Sequence, residues 1–339
     1  MRLIPACVRD ERDMTQSILQ VSELTTHLGR SDNPVRAVDG ISFDIRPGET
    51  LALLGESGCG KSMTALSLLR LLPASGRIVR GRVVFDGQDL LKLPESRMRS
   101  IRGGGISMVF QEPMTALNPV HRIGRQIMEA LKLHKDMNDA ECLAAAIEML
   151  EKVGIPSPEI RISEYPHQLS GGMRQRVMIA MALICNPALI IADEPTTALD
   201  VTIQAQILDL LQEMQDHYQA SIIMITHDLG VIAETCDDVL VMYAGRVAEQ
   251  GSVDEVFNAP RHPYTQGLLE SIPRLTTPRK SRLQTIEGMV PALTEMPVGC
   301  RFNNRCPHAT DLCREQYPAL DGTPGEHRTA CHLWQDLNK

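Results

Sequence analysis

The segment with the clearest chemical meaning is a glycine-rich loop between an apolar run and a helical run. It begins at Gly55, contains Gly58 and Gly60, and ends in Lys61 and Ser62. Glycines let successive backbone N–H groups point at one anion, and the positive end of the following helix adds to the attraction. The lysine would bridge β- and γ-phosphate oxygens, and the serine hydroxyl would coordinate Mg²⁺. The pattern predicts a phosphate-binding loop with nucleotide contacts from Gly55, Glu56, Ser57, Gly58, Cys59, Gly60, Lys61, Ser62 and Met63.

Two adjacent carboxylates, Asp193 and Glu194, end a second apolar run at residues 189–192. In isolation such a pair usually caps a helix or lies in a solvated turn. Beside a phosphate loop, Asp193 can reach the Mg²⁺ shell through water, and Glu194 can polarise the water that attacks the γ-phosphate. We therefore predict a metal contact from Asp193, together with Ser62, and a general-base role for Glu194.

Four further segments resemble the motifs of ABC ATPases, and they occur in the order typical of that family. Residues 169–176 (LSGGMRQR) resemble its signature, Gln111 its Q-loop glutamine, residues 197–200 (TALD) its D-loop, and His227 its switch histidine. The resemblance covers residues 18–257. It implies that Gln111 and His227 are catalytic residues beside Glu194, and that Gln111 also senses Mg²⁺; an ordinary core or surface histidine is the alternative for His227.

The signature segment can act as a second anion site. Ser170, followed by Gly171 and Gly172 at a helix start, offers a hydroxyl and free N–H groups to a γ-phosphate. In the family this segment faces the phosphate loop of another subunit, so the resemblance implies a head-to-tail dimer with ATP between the subunits. The further nucleotide contacts that it implies are Ser170, Gly171, Gly172, Gln175, Asp193 and Asp200.

Base recognition departs from the family pattern. The family usually has an aromatic residue near the end of the first strand, which stacks on adenine. Alignment on Ala37 and Val38 puts Leu28 at that position, and His27 beside it could stack instead. The residue that contacts the base is left open.

The elements around these motifs predict an α/β protein. Short apolar runs at residues 18–24, 41–45, 83–85 and 106–110 read as strands of an N-terminal β layer, and fully apolar runs at 51–54, 189–192 and 222–225 read as buried parallel strands. Residues 123–185 show helical periodicity only. We expect a phosphate-loop core of ABC ATPase type with an N-terminal antiparallel β layer, an inserted helical subdomain and a small cysteine-bearing C-terminal extension. The predicted boundaries are 1–17 for an N-terminal extension, 18–258 for the ATPase domain with its helical subdomain at about 112–185, and 259–339 for the C-terminal extension.

The C-terminal extension carries four of the nine cysteines. Their spacings match no paired CxxC zinc pattern, and free or structural thiols are the alternative. The segments around residues 262–275 and 297–307 resemble the C-terminal extension of peptide-permease ATPases. That resemblance implies a [4Fe-4S] cluster, with Zn²⁺ as the second choice, on Cys300, Cys306, Cys313 and Cys331.

Charge and composition limit the function further. A formal net charge of -8 argues against broad attraction to nucleic acid or an anionic membrane surface. The first residues contain no apolar run typical of a signal peptide, and the longest apolar stretch is shorter than a membrane-spanning helix. Because five cysteines are scattered through ordinary elements, we expect reduced thiols in the cytosol.

Together these features predict the ATP-hydrolysing subunit of an ABC importer for dipeptides or oligopeptides, with ATP and Mg²⁺ as ligands. Expected partners are a second ABC ATPase subunit, more often a different chain than a copy, two transmembrane permeases and an extracytoplasmic peptide-binding protein. The chain would lie at the cytoplasmic face of the bacterial inner membrane. Nickel or glutathione import is an alternative of the same family, and a soluble ABC ATPase acting on nucleic acid is a more distant one.

Overall fold

The computed structural model describes residues 17–30, 32, 34–112, 116–196, 201–271, 285–292, 294–322 and 326–337. Two β-sheets and the helices around them form the described part. The strands are β1 (Leu19–Leu28), β2 (Val35–Ile45), β3 (Thr50–Leu54), β4 (Gly76–Phe85), β5 (Gln88–Asp89), β6 (Ile106–Val109), β7 (Leu189–Asp193), β8 (Ser221–Ile225), β9 (Asp238–Tyr243), β10 (Arg246–Ser252) and β11 (Arg328–Thr329).

The helices fall mainly between the strands of the larger sheet and after its last long strand. They are α1 (Lys61–Leu68), α2 (Glu95–Ile101), α3 (Ile123–His134), α4 (Asp139–Lys152), α5 (Pro158–Arg161), α6 (Gly171–Leu183), α7 (Val201–Tyr218), α8 (Leu229–Thr235), α9 (Val253–Asn258), α10 (Pro263–Glu270), α11 (Asp311–Glu315) and α12 (Trp334–Leu337). Among the described residues, no helix has the length and apolar character that crossing a membrane requires.

The smaller sheet is antiparallel, with the strand order β2-β1-β4-β5. Burial alternates at the start of β1 and the end of β2, where one face packs on the protein and the other faces solvent, and register shifts interrupt the alternation between them. The predicted N-terminal antiparallel layer is therefore confirmed.

The larger sheet has the order β11-β10-β9-β3-β8-β7-β6, and its strands from β9 to β6 run parallel. Strands β3, β7 and β8 are buried at every residue, which explains why their sequences are apolar without alternation. In β3, Leu51 and Leu53 face a core shared with the antiparallel sheet, whereas Ala52 and Leu54 face the core beneath the C-terminal extension. The central strand thus joins the ATPase core to both flanking layers.

Two expectations about strands require correction. The run at residues 106–110 does not belong to the N-terminal layer, because β6 pairs with β7 at the edge of the larger sheet. The prediction also omitted β9 and β10, an antiparallel pair joined at Ala244 and Gly245, both with positive φ angles (48° and 86°). This two-residue turn is the local signal that could have revealed the hairpin.

The region between β6 and β7 is helical, as predicted. Helices α3, α4 and α6 share one apolar core, which includes Ile127, Leu150 and Val177. Helix α4 begins with a capping box in which Asn138 and Glu141 bond each other's backbone N–H groups. This compact helical region positions the amino end of α6, where the signature segment lies.

Candidate functional site: a phosphate loop and its carboxylates

The predicted phosphate loop connects β3 to α1 and has the backbone that its glycines allow. Gly55, Gly58 and Gly60 have positive φ angles of 151°, 79° and 107°. A Cβ on Gly60 would lie 2.4 Å from the carbonyl oxygen of Ala37, and one on Gly55 would lie 2.2 Å from that of Met242. Both glycines are therefore required by close packing against neighbouring strands as well as by their conformation.

The lysine of the loop is folded back onto the loop itself. Lys61 is buried, and its Nζ donates to the carbonyl oxygens of Gly55 at 2.6 Å and Glu56 at 3.1 Å. These carbonyls provide hydrogen-bond acceptors for the buried ammonium group. The phosphate oxygens of a nucleotide could replace these two carbonyl oxygens as acceptors for the Lys61 ammonium group.

The next residue of the loop contacts the end of β7. Ser62 Oγ donates to Asp193 Oδ1 at 3.0 Å, and Asp193 is only 5 % exposed. Burial raises the pKa of the Asp193 carboxyl, while the hydrogen bond from Ser62 opposes that shift. A hydroxyl and one carboxylate are the oxygen donors by which Mg²⁺ is usually held when nucleotide phosphates supply further ligands. The donor set therefore fits Mg²⁺.

Glu194 lies between the two predicted catalytic partners. Gln111 Nε2 donates to Glu194 Oε2 at 2.7 Å, and His227 Nδ1 lies 3.4 Å from Glu194 Oε1. Glu194 itself has a φ of 47°, an uncommon value for a glutamate, and its N–H donates to the carbonyl of Ile225 at 2.9 Å. Residues from three strand ends thus hold one carboxylate at the edge of the loop, where it can accept a proton from water.

The signature segment begins α6. Ser170 is the N-cap of this helix and is exposed; its Oγ accepts from the N–H of Met173 at 3.3 Å. Open space surrounds the Cα of Gly171, so the helix start is accessible. Gln175 is buried, and its Nε2 donates to the carbonyl of Pro195 at 2.6 Å, which connects α6 to the segment just after Glu194.

Some predicted residues have a less defined place. Asp200 and the rest of the D-loop segment lie outside the described residues, as do residues 1–16 of the predicted N-terminal extension. His27 and Leu28 form the end of β1 and are both half-buried. The two candidates for base stacking are thus adjacent on one strand, as the sequence suggested.

The prediction of a [4Fe-4S] cluster or zinc on the four C-terminal cysteines is wrong. Cys300, Cys306, Cys313 and Cys331 line one cavity of about 20 Å³, but no group of three or more His, Cys, Asp or Glu side chains in the described part of the chain is arranged to hold a metal ion. Burial raises the pKa of the Cys300 thiol to about 11 and also raises the pKa values of Cys306 and Cys331. Of the four cysteines, Cys313 is buried and the other three are half-buried.

The sequence analysis missed the contact between the extension and the phosphate loop. Arg305 donates to both carboxylate oxygens of Glu56, and the N–H of Glu56 donates to Tyr264 Oη at 2.9 Å. The partners are 249 and 208 residues apart. No local pattern could have revealed this pairing.

Comparison with known proteins agrees with this geometry. The family model of the ABC transporter matches residues 38–197, and the model of the oligopeptide/dipeptide transporter C-terminal region matches residues 248–313. The probable peptide ABC transporter ATP-binding protein y4tR of Sinorhizobium fredii is 53% identical over 315 residues, which are 93% of this chain and 94% of that protein. The chain belongs to the ABC transporter ATP-binding proteins.

Other relatives support the same assignment. The dipeptide transport ATP-binding protein DppD of Escherichia coli is 48% identical over 93% of this chain and 96% of its own length. The oligopeptide transport ATP-binding protein OppD of the same organism is 50% identical over 94% of each chain. Their names describe ATP-binding proteins of transport systems and mention no iron–sulfur group.

A solved structure gives the match in three dimensions. The ATP-binding cassette MJ0796, solved as a dimer in a post-hydrolysis state with ADP and Pi, has a TM-score of 0.63 and 26% identity to this protein. The match covers 69% of this chain and 98% of that one. The fold of this cassette is therefore shared over about two thirds of the chain.

Proposed function

We propose that this chain is the ATP-hydrolysing subunit of an ABC importer that takes up dipeptides or oligopeptides. The observation that carries the proposal is the position of the Glu194 carboxylate, between Gln111 and His227 and beside the Ser62–Asp193 pair. A base, a metal-binding pair and a phosphate loop meet at one edge of the sheet. This is the set of groups that hydrolysis of a nucleoside triphosphate requires.

Glu194 acts as the general base. It accepts a proton from water as the water oxygen bonds to the γ-phosphorus and the bond to the β,γ-bridging oxygen breaks, which yields ADP and phosphate. Gln111 and His227 hold the carboxylate in its orientation through the contacts at 2.7 Å and 3.4 Å. Positioning of this kind contributes because the reacting atoms then need little rearrangement.

The phosphate loop binds the nucleotide. Lys61 leaves the carbonyls of Gly55 and Glu56 for the β- and γ-phosphate oxygens, and the N–H groups of Gly58 through Ser62 surround the β-phosphate. Ser62 and Asp193 would hold Mg²⁺, with Gln111 near its water shell. When bound, Mg²⁺ neutralises charge on the β- and γ-phosphates.

The signature segment completes the site of a second subunit. Ser170 is the exposed N-cap of α6, and a Cβ on Gly171 directly after it would meet no atom within 4 Å. In a head-to-tail dimer this helix start would bind the γ-phosphate held by the other chain's phosphate loop. The dimer of MJ0796 with ADP and Pi supports such an arrangement. A different ATPase chain is the more probable partner than a copy of this one.

The membrane partners would dock beside the Q-loop. Phe110 and Leu71, each 40% exposed, line an apolar groove of about 250 Å³ with Leu117 and Met178, directly next to Gln111. A helix of one permease would fill this groove, so that movement of Gln111 on nucleotide binding reaches the membrane; the second permease would dock on the other ATPase subunit. The chain would then lie peripherally at the cytoplasmic face of the cell membrane, with an extracytoplasmic binding protein delivering the substrate.

The peptide substrate rests on the C-terminal extension and the relatives' names. The model of the oligopeptide/dipeptide transporter C-terminal region matches residues 248–313, and the relatives compared above are named for peptide transport. We assign residues 18–258 to the ATPase domain, about 112–185 to its helical subdomain, 259–339 to the extension and 1–17 to an N-terminal extension.

The variant Glu194→Gln tests the proposal in the assembled transporter. Because the amide is not a base but keeps the side-chain shape, we expect ATP hydrolysis to fall by a factor of about 100 or more while ATP binding persists. ATP should then trap the two ATPase subunits in a stable closed state, detectable as ATP that stays bound to the transporter through gel filtration. Glu213→Gln, at an exposed position of α7, is the matched control and should hydrolyse ATP at the wild-type rate. If Glu194→Gln hydrolyses ATP at the wild-type rate, Glu194 is not the general base.

A further inference from the structure

Glu56 of the phosphate loop contacts the C-terminal extension through both its side chain and its backbone. Arg305 Nη1 donates to Glu56 Oε2 at 2.6 Å and Nη2 donates to Oε1 at 3.1 Å, so the pair has two parallel hydrogen bonds. The N–H of Glu56 donates to Tyr264 Oη at 2.9 Å. The nucleotide-binding loop is thereby fixed to a part of the chain that lies outside the ATPase core.

Arg305 is held rigidly enough to position the loop. Its side chain is only 3% exposed, and Nε donates to the carbonyl of Glu287 at 3.0 Å. Its guanidinium carbon lies 5.8 Å from the ring centre of Tyr243 and 5.9 Å from that of Phe302. A planar guanidinium with this many fixed neighbours loses little further freedom when it binds a carboxylate.

Tyr264 is equally fixed. It is fully buried, its N–H donates to His262 Nδ1 at 3.0 Å, and its ring meets that of Tyr243 edge to face at 4.7 Å between centres. The phenol oxygen therefore offers the N–H of Glu56 an acceptor at a fixed position. Tyr243 contacts both Arg305 and Tyr264, and so unites the two contacts.

Lys61 holds the opposite side of the same residue. It donates to the carbonyl of Glu56 at 3.1 Å, while the extension binds the N–H and the carboxylate. Lys61 must leave this carbonyl to reach the phosphates of a nucleotide. The contacts with Arg305 and Tyr264 then remain to hold the start of the loop.

The charges point in the same direction. Glu56 puts a carboxylate in a loop that has to attract a polyphosphate, and an unpaired carboxylate there would repel it. Arg305, which is 3% exposed, neutralises this charge on the 31% exposed Glu56 side chain. The arginine therefore removes an unfavourable interaction from the nucleotide site without contacting the nucleotide.

We propose that Arg305 is a positioning residue for nucleotide binding, which acts through Glu56 and makes the ATP affinity depend on the C-terminal extension. The inference rests on the proposed ATPase function. It gives the C-terminal extension an influence on ATP binding, although none of the ATPase motifs lies in that extension.

A double-mutant cycle on the assembled transporter tests this role. For Arg305→Ala we expect the KM for ATP and the Kd for ATP in calorimetry to rise about tenfold, with kcat changed less than about twofold. Glu56→Ala completes the cycle. The double variant Glu56→Ala/Arg305→Ala should bind ATP no more weakly than Arg305→Ala, because the arginine acts through Glu56 and the uncompensated carboxylate is gone. Arg305→Lys, which keeps the charge but not the two parallel bonds, should have an intermediate KM.

The control variant is Arg314→Ala, whose exposed side chain pairs with Asp311 in the same extension. It should leave KM and kcat unchanged. In the isolated chain, whose single tryptophan is Trp334 in the extension, fluorescence shows whether each variant keeps its fold. Should Arg305→Ala lose that signal, the comparison of Arg305→Lys with the wild type decides instead.

The outcomes separate this inference from the proposed function. A wild-type transporter that does not hydrolyse ATP refutes the proposed function. A transporter that hydrolyses ATP with the same KM in the wild type and in folded Arg305 variants refutes the positioning role alone. A double variant whose loss of ATP affinity equals the sum of the losses in Glu56→Ala and Arg305→Ala also refutes it, because the arginine would then not act through Glu56.

Discussion

Glu249 on β10 joins the C-terminal extension to the ATPase core, and its removal should selectively unfold the extension. The side chain is completely buried. Its carboxylate accepts from the N–H of Arg261 at 2.6 Å and from the N–H of His262 at 3.0 Å, and it lies 2.7 Å from Nε2 of His327. Two separate segments of the extension are thus held by one carboxylate of the core.

The magnitude follows from these contacts. Glu249→Ala leaves two amide N–H groups and one imidazole nitrogen buried without their acceptor, at about 1–3 kcal/mol each. The variant also no longer buries a charged carboxylate, and this gain offsets part of the loss. We therefore expect the free energy of unfolding to fall by about 3–5 kcal/mol in total. Glu249→Gln keeps one acceptor oxygen and should cost about half as much.

The single tryptophan makes the effect measurable. Trp334 lies on α12, and the guanidinium carbon of Arg261 is 4.6 Å from its ring centre. Its fluorescence therefore reports the extension at the site of the change, whereas far-UV circular dichroism reports the whole chain. In urea, Glu249→Ala should shift the fluorescence transition to lower concentration than the circular dichroism transition.

Glu213→Ala, at an exposed position of α7, is the control and should change the free energy of unfolding by less than about 0.5 kcal/mol. The reasoning is refuted if the fluorescence midpoint of Glu249→Ala coincides with that of the wild type. It is also refuted if both probes shift together by the same amount, because the extension would then not unfold separately.

Two further predictions concern buried groups. Burial lowers the pKa of His262 to about 4, against the charge of Glu249. Between pH 6.5 and 4 only the unfolded chain gains this proton, so the free energy of unfolding should fall by up to about 3 kcal/mol as the pH drops through that window. The variant His262→Asn can still accept from the N–H of Tyr264 and should flatten the pH dependence of the urea midpoint. Gly58→Ala should lower the free energy of unfolding by about 1–2 kcal/mol, because its Cβ meets open space but its φ is 79°. Gly60→Ala should lower it by at least about 2 kcal/mol more, because its Cβ would also lie 2.4 Å from the carbonyl oxygen of Ala37. Unfolding followed by circular dichroism without nucleotide measures both losses. Equal losses for the two glycine variants would contradict the packing argument.

The amino-acid sequence determined the features that depend on near neighbours. The loop from Gly55 to Ser62 could be predicted because its glycines, lysine and serine act within one turn of chain. Strands β3, β7 and β8 could be predicted because burial on both faces requires every residue to be apolar. The helical region between β6 and β7 could be predicted because the spacing of its apolar residues follows the helical repeat, which is a property of neighbouring residues.

Tertiary structure decided which distant residues meet. The sequence put β6 in the wrong layer, because four apolar residues do not specify the strand that they pair with. The resemblance to peptide-permease ATPases implied a metal cluster on four cysteines, but the described residues contain no group of three or more His, Cys, Asp or Glu side chains arranged to hold a metal ion. The contact of Arg305 with Glu56 spans 249 residues, and only the packing of the extension against the sheet brings the two side chains together. Short sequence patterns are enough to predict local chemistry, whereas the packing of one helix or strand on another depends on residues throughout the core.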